Sequence, residues 1–305
     1  MRAASLRTHT LASLGALAIS ASGAPVLYVS NHDSGWVSTF DPVTGDLINA
    51  NFISTPGQPH GLLQIGNELL VASWIGTSRI ARHDATTGAF LGIFADSTTM
   101  LDHPVDMRVG PDNLLWVSSQ VNGRINRYDL VTGAAQTPFI AGEAHLSNPS
   151  GFAFSDDGTR CFVVDRTDGE VLEYDVATGA YVRTLRDFAG EAFGIEWGPD
   201  DNLYVASGGL HRIVPTAPFT ATAVATGQFA IGVELGPDGR IYFANYSSDT
   251  LRSYDPGTNM DLGVFADDAS LSGPNFFHFG IPEPSTCAML IGAVVIIGIR
   301  RKRRR

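Results

Sequence analysis

The stretch "GPDGRIYFANYSSDTLRSYDPGTNM" (236–260) decides the fold, because its layout returns throughout the chain. It reads as a turn, a β-rich run "IYFAN" (241–245), a loop, a second run ending in aromatic-Asp, and another turn. The first run has counterparts in "LYVSN" (27–31), "LLVAS" (69–73), "LWVSS" (115–119), "CFVVD" (161–165) and "LYVAS" (203–207). The aromatic-Asp end returns, with variants, in "STFDPVTGD" (38–46), "ARHDATTGA" (81–89), "NRYDLVTGA" (126–134) and "LEYDVATGA" (172–180). Alternating Val, Tyr and Ile suit pleated, half-buried strands. Asp followed by Thr-Gly makes a tight turn in which glycine accepts positive φ. Further turns precede the first runs, as in "GPDN" (110–113), "SDDG" (155–158) and "GPDD" (198–201), and Asp156, Asp157, Asp200 and Asp201 read there as turn formers rather than calcium ligands. Four strands in roughly 43 residues is the content of one propeller blade.

Six such units predict an all-β, six-bladed β-propeller over 24–280. Innermost strands of units two to six begin at "PHGLLQI" (59–65), "PVDMRV" (104–109), "PSGFAF" (149–154), "FGIEW" (193–197) and "IGVEL" (231–235). The first unit lacks one, and a spare strand, "GPNFFHFG" (273–280), lies at the far end. The expectation is a split blade in which this strand closes the ring and removes a free sheet edge. The fifth unit is the weakest, since "RIVPTAPFTATAVATG" (212–227) has lost both the aromatic-Asp and the Thr-Gly turn.

The ends have a different character. "MRAASLRTHTLASLGALAISASG" (1–23) has two arginines, an apolar stretch and small residues, the layout of a signal peptide. The last six residues are all basic and follow the uninterrupted apolar run 287–299. As a helix those thirteen residues span about 20 Å, against ~30 Å of hydrocarbon. This predicts a short apolar helix suited to a transient stop in the membrane, with the arginines on the cytoplasmic side; a plain C-terminal anchor is the alternative. Between the ends, residues 24–284 carry all 31 acids and twelve of the 20 cations, a net charge of about −19. Such a body repels nucleic acid and anionic membrane surfaces. The two cysteines, Cys161 and Cys287, fall in a strand and in the apolar tail, so no internal disulfide is expected and an ordinary core must supply stability.

"LYVSNHDSGWVSTFDPVTGD" (27–46) resembles the YVTN-type repeat of bacterial surface and lactonase-like propellers. "PSGFAFSDDG" (149–158) and "GPDGRIYFANYSSDTLRSYD" (236–255) resemble NHL-type or gluconolactonase-like repeats. The likeness covers nearly all of 26–280 and implies a fold used by enzymes and binding platforms alike. In the tail, Pro282, Glu283, Pro284, Ser285 and Thr286, followed by the apolar run and arginines, resemble the PEP-CTERM sorting signal of Gram-negative bacteria. That resemblance implies export, recognition by an exosortase-type membrane enzyme, and delivery to the outer surface or the extracellular matrix alongside exopolysaccharide. Residues 281–305 are accordingly read as a sorting segment with a transient inner-membrane stage.

No G-x-S-x-G, H-E-x-x-H, paired C-x-x-C or phosphate-cradling loop is present. Any site must therefore be assembled by ring closure. Candidates on the face bearing the loops into the innermost strands are Asn31, His32, Asp33, His60, Trp74, His103, Asp106, Gln120, Asn148, Asp165, Arg166, Asn245 and Asn275. A deeper axial ring reads Leu63, Arg108, Ala153, Glu196, Glu234 and His278. Its charged members either hold a cation or polar ligand or pair with one another. The gluconolactonase-like resemblance implies a divalent metal, Ca or Mg, at Asp106, Asp165 and Asn245, with His60 as acid/base. The acidic residue that family carries in the closing strand has no match, since Asn275 and His278 stand there. "QPHGL" (58–62) resembles the strand starts of streptogramin-lyase-like propellers. The sequence thus predicts an exported, noncatalytic surface or matrix binding module, with a metal-dependent lactonase- or lyase-like enzyme as the alternative.

Overall fold

A computed structural model describes residues 24–280, Thr77 excepted. The signal peptide expected over 1–23 and the sorting segment over 281–305 lie outside the described residues.

Six antiparallel sheets form the blades of a propeller. Blade two shows the pattern: Pro59–Ile65 innermost, then Glu68–Ser73, Arg79–Asp84 and the outer strand Phe90–Ala95. Blade four (Pro149–Phe154 to Tyr181–Asp187), blade five (Ile195–Trp197 to Ala221–Thr226) and blade six (Ala230–Leu235 to Met260–Ala266) repeat it. Blade one is split as the sequence predicts. Pro274–Gly280 pairs inside Val26–Asn31, with Leu27 opposite Phe279 and Tyr28 opposite His278. Two residues from opposite ends of the chain thus meet at each step of one ladder.

One expectation is reversed. The motif-poor fifth unit forms all four strands, with Leu210, Ile213 and Ala225 buried, because alternating small and apolar residues satisfy an outer strand without the turn motif. Blade three is the incomplete one, with three regular strands. Isolated bridges Ile125–Ile140 and Tyr128–Ala135 replace its outer strand. Pro138 lies between them and has no amide to give to a ladder.

The core is divided among the blade-to-blade interfaces. Six apolar clusters lie between neighbouring blades, for example Phe162, Val164 and Val171 of blade four against Ile195, Leu203 and Val205 of blade five, and the one between five and six also takes in the axial Val105 and Phe276. Clusters of this kind also join six to one and one to two, so the split blade is packed like the others.

The repeated motifs now have physical accounts. In the Asp–x–x–Thr–Gly turns, Asp84 Oδ1 accepts the amides of Thr86 (3.0 Å) and Thr87 (2.8 Å), and Asp41 and Asp129 do the same. The closing glycine, Gly88, has φ +74° and donates its amide to Asp84 O (2.8 Å). In the Gly-Pro-Asp turns the aspartate accepts from the aromatic residue of the following strand. Trp116 Nε1 reaches Asp112 (2.7 Å), Tyr204 OH reaches Asp200 (3.0 Å) and Tyr242 OH reaches Asp238 (3.1 Å). Burial with that carboxylate nearby pushes the Tyr242 phenol up to about 12.

The last residue of the second strands is a latch on the incoming interblade loop. Asn31 Oδ1 accepts from Ser272 N (3.0 Å), Ser119 Oγ from Asp102 N (2.8 Å) and Asn245 Oδ1 from Phe229 N (3.2 Å). Asp165, wholly buried, accepts from Ser147 N (2.7 Å) and Asn148 N (3.0 Å) with one oxygen.

Candidate functional site

The innermost strands surround the axis, each beside the next. Five of the six carry a register irregularity near their start, as between Pro59 and Leu62 or between Pro104 and Met107. Such a bulge re-aims side chains that a regular strand would alternate. The third residue of five of these strands, and Gly194 just before the short strand of blade five, then meet the axis at close quarters. This residue is glycine in four blades (Gly61, Gly151, Gly194, Gly232), and a Cβ on any of them would strike the backbone of the next innermost strand. Two blades depart from glycine, with Asp106 and Phe276. In both, a serine of the second strand accepts the amide of that residue: Ser118 Oγ from Asp106 N (2.9 Å) and Ser30 Oγ from Phe276 N (3.0 Å). The corresponding residues of the glycine blades are Ala72, Val164, Ala206 and Ala244.

Phe276, 6 % exposed, borders both of two axial chambers. The upper one, about 300 Å³, is lined by two registers. The second residues of five innermost strands contribute His60, Val105, Ser150, Ile231 and Asn275, and Phe193, two residues before the strand of blade five, stands at the equivalent place. The residues just after the second strands contribute His32, Trp74, Gln120, Arg166 and Tyr246. Of the candidates read from sequence, the structure therefore gathers His32, His60, Trp74, Gln120, Arg166 and Asn275. Reading the sequence missed Phe193, Phe229 and Tyr246, although alignment of Tyr246 with His32 and Trp74 one residue past the strand is a usable signal.

Trp74 organises this chamber. Its Nε1 donates to Gln120 Oε1 (2.8 Å), the His60 ring stacks on it (centroids 5.3 Å, 17° between planes), and His103 meets it edge-on at 5.3 Å. His103 has φ +52°, a left-handed conformation unusual for a residue with a side chain, and its Nδ1 lies 2.7 Å from Asp102 Oδ1. Tyr246 OH donates to Asp33 Oδ1 (2.6 Å), with His32 Nδ1 2.9 Å from the same oxygen. Those bonds, from Tyr246 foremost, hold the Asp33 carboxyl below the ordinary range. Arg166 lies over the Phe193 ring at 5.1 Å.

His60 is 8 % exposed, and neither ring nitrogen has a hydrogen-bond partner among the described residues. Asn275 Oδ1 is buried without one as well. Burial, reinforced by the charges of His32, Arg166 and His103, holds the His60 pKa well below that of a free imidazole. At neutral pH it is uncharged, with one nitrogen to accept and one to donate.

The lower chamber, about 430 Å³, holds the axial charges. Arg108 Nη1 donates to Glu196 (2.8 Å) and its Nε to Asp106 (3.3 Å), while His278 Nδ1 lies 3.0 Å from Glu234 Oε1. Burial raises the pKa of Asp106 and of Glu196, and Arg108 draws both partly back.

The residues suggested for a divalent metal are not brought together. Asp106 lies one register deeper than His60, in the lower chamber, with both oxygens engaged by Met107 N, Phe152 N and Arg108. Asp165 and Asn245 are strand-end latches whose oxygens accept loop amides. Among the described residues no three His, Cys, Asp or Glu side chains gather as ligands. This donor set does not fit the metal of gluconolactonase-like propellers.

No family model matches the chain, and no curated protein matches it. Solved structures do. A chain of the nidogen/laminin complex superposes with TM-score 0.70 at 12 % identity, over 85 % of this chain and 99 % of that one. A catalytically inactive histidine-to-alanine variant of virginiamycin B lyase from Staphylococcus aureus, with quinupristin, gives 0.59 at 13 % identity over 84 % and 92 %. A Bacteroides uniformis protein assigned provisionally as a 6-phosphogluconolactonase gives 0.59 at 18 % over 86 % of each chain. The shared feature at these identities is the fold. The chain is a six-bladed β-propeller.

Proposed function

We propose that this protein is an exported surface or matrix propeller that binds a hydroxylated ligand, a segment of extracellular polysaccharide, in its upper chamber without turning it over. The observation that carries the reading is His60. A buried imidazole with two unmet nitrogens loses roughly 1–3 kcal/mol for each unsatisfied group, unless a ligand or water meets it. Asn275 Oδ1 adds an acceptor beside it, and the walls of Trp74, Phe193, Phe229 and Tyr246 offer ring faces and edges to a sugar. The Pro282–Pro284 motif supports processing by an exosortase-type enzyme, and mass spectrometry of surface-released protein, with its last residue near Pro284, is the check on that step.

Affinity electrophoresis through gels cast with neutral and acidic polysaccharides tests the binding. The full-length protein is expected to be retarded by at least one of them, with Kd rising tenfold or more in His60→Ala and in Trp74→Ala. Unretarded migration on every polysaccharide, or equal retardation of His60→Ala, overturns the reading.

A second reading rests on the same side chain. A neutral imidazole bordering a cavity is equipped to take and return a proton in an elimination or a lactone hydrolysis. Turnover of gluconolactone or quinupristin by the wild type, abolished in His60→Ala, replaces binding with catalysis.

A further inference from the structure

The lower chamber is independent of the site proposed above, and its charges do not balance. One guanidinium, Arg108, stands among four carboxylates, Asp106, Asp156, Glu196 and Glu234. Each nitrogen of Arg108 is engaged: Nε on Asp106 (3.3 Å), Nη1 on Glu196 (2.8 Å) and Nη2 on Ile195 O (3.0 Å). Asp106 and Glu196 each accept at both oxygens. Glu234 does not. His278 Nδ1 (3.0 Å) and Phe279 N (3.3 Å) both reach its Oε1, and no described residue donates to its Oε2. A carboxylate that is only 19 % exposed, in a chamber already short of positive charge, calls for a cation.

A second group points to the rest of the ligand. Trp197 borders this chamber, is 7 % exposed, and its indole N–H has no acceptor among the described residues. An indole nitrogen only donates, so its missing partner is an oxygen. Phe154, Phe276 and Phe277 complete an aromatic lining of the kind that favours ammonium groups. The absence of a three-ligand cluster among the described residues argues for an organic cation rather than a tightly held metal ion.

We propose that the lower chamber binds a protonated primary amine carrying a neighbouring oxygen, the chemistry of an amino sugar, with the ammonium on Glu234 Oε2 and the oxygen on Trp197 Nε1. The two residues come from adjacent blades, and the Glu234 charge is felt at Glu196, the residue before Trp197.

Calorimetric titration of the full-length protein in detergent with D-glucosamine at neutral pH tests this, with D-glucose and N-acetyl-D-glucosamine as uncharged probes. Saturable binding is expected for glucosamine alone, weakened at least tenfold in Glu234→Gln. Trp197→Phe keeps the ring and removes the donor, so it is expected to narrow the preference for glucosamine over propylamine severalfold. That arm carries the test if Glu234→Gln fails to fold by circular dichroism. No saturable heat with glucosamine, equal binding of glucose, unchanged affinity in a folded Glu234→Gln, or an unchanged preference in Trp197→Phe each overturns the proposal.

Discussion

The perimeter of this propeller and its axis are built by opposite rules. At the perimeter, blade after blade repeats one solution, an aspartate that gathers two amides and a glycine that turns the chain. At the axis the blades differ from one another: His60 stacks, Arg108 pairs, Asn275 Oδ1 is unmet, and Asp106 stands where four blades have glycine. Repetition therefore marks what holds the fold, and departure from it marks where chemistry is placed. A substitution at the axis should accordingly be felt through a network of unlike partners, whereas one at the perimeter should be felt locally.

The sharpest way to test that contrast is Arg108→Met. It leaves Asp106 and Glu196, both more than nine-tenths buried, without their countercharge. Removing one member of a buried ion network destabilises by about 3 kcal/mol or more, to be read from urea unfolding. The double variant Arg108→Met/Glu196→Gln is expected to recover part of that loss, and additive losses would break the idea of a coupled network. A single perimeter change, Asp84→Ala, removes two exposed amide bonds. Its expected effect is about 0.5–1 kcal/mol, since water replaces much of what is lost. An equal or larger loss there would erase the contrast.

The smallest effect is the pH profile, and the two regions should give opposite slopes. In the perimeter turns, Asp41, Asp84 and Asp129 are held below the ordinary carboxylate range by amide bonds from the turn threonine. Their stabilisation is present above the unfolded value of about 3.9 and is lost as pH falls through the folded values. Asp106 and Glu196, raised by burial, behave in the reverse sense. Their contribution is full below the unfolded value and is lost as pH rises through the folded one. Stability measured from pH 2.5 to 7 should lose part of its acid limb in Asp84→Asn and flatten on the alkaline side of pH 4 in Glu196→Gln.

The perimeter was legible in the sequence because each turn is local: Asp, Thr and Gly act within five residues. Blade count and split closure followed from the same repeats. Blade three was misjudged because strand loss there depends on one proline between two bridges, while blade five shows that burial alone can make an outer strand. The site was legible only in part. His60 and Trp74 were found, yet Asp106 was grouped with them because a bulge sends adjacent residues into different chambers, and period-two reading carries no sign of a bulge. Asp165 and Asn245 looked like ligands because latch and ligand use the same oxygens. One long-range rule was written in the sequence and went unread: at the second-strand position aligned with Ser30 and Ser118, serine stands only in the two blades whose axial residue is not glycine.

The strand Pro274–Gly280 supplies Asn275 to the upper chamber, Phe276 to the partition and His278 to the lower chamber. Closure of the axis therefore waits on the last of the described strands. A chain that lacks this strand presents five other sheets and an open seam. Neither chamber is closed until residues 274–280 have found the strand laid down nearly 250 residues earlier. Formation of both chambers is thereby tied to the arrival of that strand, and five sheets alone leave the axis open along one side.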